Sequence, residues 1–563
     1  MQIFIEKMIS RILPAHVHAG VMIPEHERFG HYTTAVALRL AKEEKKNPLE
    51  VAAHIRKALL AHAPKGFFEK IEVVAPGFVN MWLSRVAIEK EFKKKLKEGV
   101  PRTHKKQAGT IIVEYSQPNI AKKMHVGHLR TTVLGDALAN LYALLGHRVI
   151  RWNYYGDWGT QFGKLIAAYK LWGDRARVKA NPIEELLALY VKFHDEMKRD
   201  ATLEIRGREE FQKLESGDKA NRALWMWFRK ESLKEFSRTY KTLGVKFDVA
   251  LGESAFEKDM APLVRELVKK KIAHASEDSL IIPLDVAGLP PALVQKSDGA
   301  SLYLTRDIAS LRYRVKKYHP KKILYVVGNE QTLHFAQLFA VASMLGLGKH
   351  TKLMHVKYGL VLSEGGKKFA TREGRAVFLD EVLEEAIARA ERIVAEKNPT
   401  LSRAAQKKVA HAVAVGALKY ANLKEFRTSD IVFNWEAMLN FSGDSAPYLQ
   451  YTYARIQGIL RKVKVSGRAD ISLLREEKDL ALMRMLFGYE DALHECVAHY
   501  SMNPLATYLY ELASQLNHFY ETTPIGKDED KARRTARLVV LQYAAKVISQ
   551  GLDVLGIEAP EKI

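Results

Sequence analysis

Residues 113–130 read VEYSQPNIAKKMHVGHLR, which sets a carboxylate (Glu114), an amide (Asn119), a lysine (Lys122) and two imidazoles (His125 and His128) between an apolar run and a helical pattern. Side chains at a strand-to-helix junction can be aimed together at one small ligand. His125 and His128 flank Gly127 where the helix should begin, and a helix N-terminus presents free backbone N–H groups that attract phosphate. Two imidazoles and a lysine at that point suit stabilisation of charge building on a phosphorus during nucleotidyl transfer. Gly127 would let a flat ring approach the backbone. Zinc fits less well, because no further ligand set accompanies the histidines and the chain has one cysteine, Cys496.

The elements around this loop must hold it in place. TIIVEY is a β-branched run suited to a buried parallel strand; Leu134, Leu138, Leu141 and Leu145 then recur at helical spacing until Gly146, and HRVIRWNYY reads as the next strand. That is a βαβ unit, which requires a parallel sheet and a right-handed crossover. Further on, ILYVVG (323–328) reads as a strand, TLHFAQLFAVASML as a helix, and LMHVKYGLVL as a strand running into the loop SEGGKKFATREG. Ligands of open α/β sheets bind beyond the carboxyl ends of the strands, so the loops after Glu114, Val327 and Leu362 should share one crevice.

The remaining segments frame this core. Helical patterns (Ala35 to Lys45, Glu50 to His62) precede the strand-like FVNMWLS, and VPRTHKKQAG reads as a linker. The stretch from Pro182 to Phe247 is helical, charged and tryptophan-bearing, and from about Asp380 nearly every segment has helical periodicity. The expected fold class is α/β: a Rossmann-type parallel-sheet domain over 106–380 with a helical insertion at about 182–247, an N-terminal α+β domain over 1–105, and a C-terminal all-α bundle over 381–563.

Composition narrows the partners. Against 65 Asp+Glu stand 88 Lys+Arg, a net charge of +23 that points to a polyanion, nucleic acid first. A single cysteine excludes an internal disulfide and fits a reducing compartment. No run of 18 apolar residues occurs, and MQIFIEKMISRILPAHV lacks a signal-like apolar core, so a soluble, cytoplasmic protein with no membrane contact is expected.

EYSQPNIAKKMHVGHLRTTVLGD resembles the HIGH signature of class I aminoacyl-tRNA synthetases, in the extended form of the arginyl enzymes. YYGDWGTQFG, SLYLTRDIASLRYR, GNEQTLHFAQ, KYANLKEFRTSDIVFNW, GDSAPYLQYTYARI and GLDVLGIEAPEKI continue the likeness, in order, over nearly the whole chain. The resemblance implies ATP-dependent activation of L-arginine to arginyl-adenylate and transfer to the terminal adenosine of tRNA(Arg). ATP is then a substrate, with Mg2+ and no metal held by protein ligands. The protein would be a monomer, and its activation step would require tRNA.

Residue roles follow from the same resemblance. His125, Gly127 and His128 would meet the ATP phosphates. The second family signature, KMSKS, is degenerate in the loop 363–375: Lys368 opens it, but Thr371 stands where other class I enzymes carry the catalytic lysine, and Lys122 occupies the position thought to supply the missing charge. Asp307 would grip the guanidinium through two parallel N–H bonds. Tyr303 and Gln331 would complete that pocket, while Glu114 and Asn119 would hold the α-amino and carboxylate groups. The N-terminal domain would meet the D-loop at the tRNA corner, with Phe78 stacking on and Asn80 bonding a splayed base, although Ala75 replaces a polar residue of some relatives. The C-terminal, DALR-type domain would hold the anticodon, with Tyr448 and Tyr451 as stacking faces. A cysteinyl enzyme would need a cysteine-ligated zinc. The remaining alternative is a catalytically inactive tRNA-binding paralogue, against which the intact His125, His128, Lys122, Asp307 and Gln331 weigh.

Overall fold

The computed structural model describes residues 1–101, 109–277, 279–295, 303–363, 365–366, 377–463 and 469–563. At its centre is a five-stranded sheet in the order Lys352–His355, Pro320–Tyr325, Thr110–Glu114, Arg148–Asn153, Val249–Ala250, with every pairing parallel. The chain winds outward in both directions from Thr110–Glu114, so the strand order reverses between that strand and Pro320–Tyr325. Ligands of such sheets bind at this switch point. Glu114 and Tyr325 are register partners there, at the carboxyl ends of the two strands.

The alternation of side chains along a strand divides the interior. Ile111, Val113 and Tyr115 join the larger apolar core, whereas Ile112, with Ile150, Trp152 and Tyr154, joins a second core under the Tyr303–Tyr318 helix. Glu114 shares the second face. The helix Val126–Leu144 packs on the first, so closely that a Cβ on Gly135 would lie 2.3 Å from Tyr115; glycine is needed to seat the helix against the strand.

Around this sheet the helices Pro182–Met197, Thr202–Glu215 and Lys219–Leu243 form the expected helical layer. The N-terminal unit carries a four-stranded antiparallel sheet in the order Val21–Met22, Tyr32–Thr34, Phe78–Leu83, Phe68–Val74. From Leu379 onward the described residues are almost wholly helical, and among all the described residues no helix is long and apolar enough to cross a membrane.

Two local expectations give way, and one small sheet was not foreseen. LMHVKYGLVL is not one strand: Lys352–His355 edges the central sheet, while Val361–Leu362 leaves it to pair with Ile431–Val432. Tertiary partners impose the break, since the Gly359 N–H donates to the Arg427 carbonyl at 3.0 Å and the Leu360 N–H to Asp430 at 2.6 Å. The strand expected over 323–328 is Pro320–Tyr325, and its last three residues belong to the loop. A small antiparallel sheet (His274–Ser276, Ser279–Ile282, Ala292–Gln295) had no sequence signal strong enough to be read from strands so short.

Candidate active site

His125 is the N-cap of the Val126–Leu144 helix, and both imidazoles are tied into its first turn. His125 Nδ1 accepts the Gly127 N–H at 3.1 Å, and His128 Nδ1 accepts the His125 N–H at 3.1 Å. A backbone N–H can only donate, so both Nδ1 atoms are unprotonated. The neutral rings therefore carry their proton on Nε2, and each offers one donor beyond its capping bond. Burial lowers both pKa values, that of His128 to about 3 with the neighbouring His125 adding to the effect, and the rings stay neutral near pH 7. Their centroids are 4.0 Å apart. A Cβ on Gly127 would fall 2.8 Å from the His125 ring, so this glycine protects the cap itself.

Distant segments close on this turn. The Val126 N–H donates to the Val377 carbonyl at 3.2 Å, the Leu379 N–H to that of Met124 at 2.9 Å, and His125 bridges to Phe378. Arg130, one turn further and 1% exposed, donates to the carbonyls of Leu360 (3.2 Å), Arg427 (3.0 Å) and Ser429 (2.6 Å). The segments entering and leaving the 363–375 loop are thus both fastened to the HVGH helix; Lys368 and Thr371 lie outside the described residues. Lys123 pairs with Glu184 at 2.9 Å and Asp380 at 3.4 Å, while the Lys122 ammonium lies over the Tyr190 ring, 5.1 Å from its centroid.

On the other strand face, the Glu114 carboxylate pairs with Arg314 and accepts from Gln117 at 3.3 Å. Arg314 is 1% exposed, its guanidinium boxed by Trp152, Tyr154 and Tyr325 at 4.4, 5.4 and 5.5 Å from the ring centroids. Burial raises the Glu114 pKa more than Arg314 lowers it, and the charge of Asp307 adds to the rise. Asp307 therefore sits within electrostatic reach of Glu114, and the same helix carries Arg314 two turns later. Asp307 Oδ2 lies 2.6 Å from His334 Nε2. Behind it Glu253, paired with Arg306 at 3.1 Å, is pushed up to about 8 by burial, with Arg306 opposing and Asp307 and Asp157 adding.

The other residues expected to bind arginine are more open. Tyr303 begins its helix 62% exposed with the Arg306 guanidinium 5.4 Å from its ring centroid, and Gln331 is exposed at the turn before the Thr332–Met344 helix. Asn119 is exposed and bridges to Gly156, where a Cβ would lie 2.0 Å from its Oδ1.

Among the expected tRNA contacts, Asn80 is turned inward: it is 3% exposed, and its Oδ1 accepts the Thr33 hydroxyl at 2.6 Å. Phe78 is half-buried at the start of the same strand. Tyr448 packs against Tyr510 with centroids 5.8 Å apart, whereas Tyr451 is 42% exposed in an 850 Å³ groove with Arg389, Arg392, Trp435 and Phe441.

Sequence reasoning missed Arg130, Arg314 and His334. Each lies in a motif already singled out: Arg130 two residues after His128, Arg314 seven after Asp307, and His334 three after Gln331. Only the Asp307 to Arg314 spacing is a same-face helical one; Arg130, two residues from His128, points away from it and is found only through its tertiary partners.

The chain also matches known proteins along its length. The class I tRNA synthetase (R) catalytic domain matches residues 88–435, the arginyl tRNA synthetase N-terminal domain residues 2–83, and the DALR anticodon binding domain residues 449–563. An arginine–tRNA ligase of Fusobacterium nucleatum is 39% identical over 549 residues, covering 96% of this chain and 95% of the relative. One of Clostridioides difficile is 37% identical, covering 99% and 98%. The structure superposes on Thermus thermophilus arginyl-tRNA synthetase with a TM-score of 0.84 and 26% identity, covering 100% of both chains.

Proposed function

The chain belongs to the arginyl-tRNA synthetase family, and from that premise we propose how its crevice carries out the family's two steps. It is an arginine–tRNA ligase: it activates L-arginine with ATP as arginyl-adenylate and passes the arginyl group to tRNA(Arg). The observation that carries the residue roles is the pair of Nε2–H donors fixed by backbone caps at the head of a helix, beside a strand end that bears Glu114 and faces Asp307.

In activation, the arginine carboxylate attacks the α-phosphate and pyrophosphate leaves. His125 and His128, already oriented, stabilise the charge that grows on the phosphate oxygens without reorganising. Lys122 adds a mobile positive charge and Lys368 a second from the signature loop. Asp307 takes the guanidinium through both oxygens, with Gln331 and Tyr303 beside it. Glu114, braced by Arg314, receives the α-amino group, and Asn119 the carboxylate. Lysine is rejected because its ammonium leaves part of the fork empty, and an unmet buried acceptor costs about 1–3 kcal/mol. In transfer, a ribose hydroxyl of the terminal adenosine attacks the activated carbonyl of the same adenylate.

Among the described residues no three metal-ligating side chains converge. Family likeness supports Mg2+ as a companion of the ATP substrate, where it would neutralise triphosphate charge.

For the rest of the chain we assign residues 1–105 to the tRNA corner, 106–380 to catalysis and 381–563 to the stem and anticodon. Phe78 offers the corner contact and Asn80 braces its strand; Tyr451 stacks on an anticodon-loop base and Tyr448 supports it. A monomeric, cytoplasmic enzyme is the reading that family likeness supports. ATP–pyrophosphate exchange tests the whole: exchange dependent on arginine and cognate tRNA is expected, and none under any condition would leave only an inactive tRNA-binding protein.

A further inference from the structure

Asp307, the carboxylate assigned to the arginine guanidinium, is already engaged. Asp307 Oδ2 lies 2.6 Å from His334 Nε2, and the two side chains are 23% and 21% exposed, so a ligand can reach the pair. The surrounding charges are lopsided. From the strand Thr110–Glu114 comes Glu114, paired with Arg314; from the segment at Gly252 comes Glu253, paired with Arg306; Tyr154 and Tyr325 line the same space. On its own helix His334 meets the edge of Phe335, whose other side stacks on His355 at 4.5 Å. Glu114 and Glu253 each have an arginine, while Asp307 has only the imidazole as a cationic partner among the described residues.

A guanidinium that binds Asp307 bidentately needs both oxygens, including the one His334 now holds. We propose that His334, as imidazolium, keeps the place of the substrate's guanidinium on Asp307, and that arginine takes the carboxylate over with release of one proton from His334. One imidazolium N–H bond breaks, the proton goes to buffer, and the neutral ring remains beside the bound guanidinium. Charge at the carboxylate is then conserved, one cation for another, and two cations never share it. The burial of the imidazole would by itself lower its pKa, but the hydrogen bond and charge of Asp307, with the charge of Glu114, outweigh this and raise it in the free site.

The inference rests on Asp307 being the guanidinium reader, and the test separates the two. The KM for arginine is measured in tRNA charging, with ATP and tRNA saturating, between about pH 6 and 9, for the unaltered protein, His334→Gln and Asp307→Asn. Gln keeps a donor to Asp307 but cannot titrate. A one-proton exchange makes KM fall with rising pH by up to about ten-fold per unit, until His334 is neutral in the free site. His334→Gln should flatten that profile. A flat profile in the unaltered protein, or an unchanged slope in His334→Gln, overturns the exchange. Asp307→Asn should raise KM across the range; if it does not, the arginine-site reading itself fails. Calorimetry of arginine binding to the unaltered protein with tRNA, at about pH 6 in buffers of different ionisation enthalpy, gives a second reading that needs no variant: release approaching one proton supports the proposal and none overturns it.

Discussion

Arg130 on the catalytic helix donates to the carbonyl of Ser429 at 2.6 Å, across 299 residues of chain. The same guanidinium reaches Leu360 and Arg427, so one buried side chain fixes the strand leading into the signature loop relative to His125 and His128. Arg130→Ala leaves three carbonyls without that donor, and a loss on the order of 3 kcal/mol is expected in denaturant unfolding. Arg130→Lys should recover part of the stability but less of kcat, because one ammonium cannot span three acceptors in a plane.

Glu114 and Arg314 form a buried pair whose members depend on each other. Glu114→Gln strands an arginine in an aromatic box and should cost about 3–5 kcal/mol. The double change Glu114→Gln with Arg314→Met should regain much of that stability, yet still charge arginine poorly if Glu114 receives the α-amino group. Unfolding midpoints and the KM for arginine separate the two effects.

The capped histidines give the fold an acid dependence. Burial holds the pKa of His128 at about 3, below the ordinary value of about 6.5. Between those values the unfolded chain binds a proton that the folded chain refuses, so stability rises with pH across that window and falls as pH drops below about 6.5. His128→Asn should make unfolding less sensitive to pH in that interval. The same change should lower exchange by about 100-fold or more through loss of an oriented donor.

Tyr448 and Tyr451 share a helix but not an environment. Tyr451→Ala should leave unfolding unchanged and raise the KM for tRNA at least about five-fold, as a lost base stack requires. Tyr448→Ala should lower stability, since its ring is packed on Tyr510. Parallel tRNA titrations and melts distinguish them.

The parallel sheet, its insertion and the helical last third were legible because long periodic segments carry their own signal. The break between His355 and Val361 was not, because its cause is contact with residues 427–432, far along the chain. At the site the pattern is similar. His125, His128, Glu114 and Asp307 stood out as candidates in their motifs, and the caps of the two histidines are local, whereas the other partners are tertiary: His334 on Asp307, Arg314 on Glu114, Arg130 on Ser429. Asn80 shows the converse, a polar residue in a suggestive strand whose side chain the fold spends on Thr33.

The most direct measurement is a structure of the protein with tRNA and a non-hydrolysable arginyl-adenylate analogue. The account predicts the guanidinium on both oxygens of Asp307 while the phosphate-equivalent group lies within hydrogen-bond reach of Nε2 of His125 and His128. An analogue bound with its guanidinium away from Asp307, or its phosphate mimic away from both imidazoles, would contradict it.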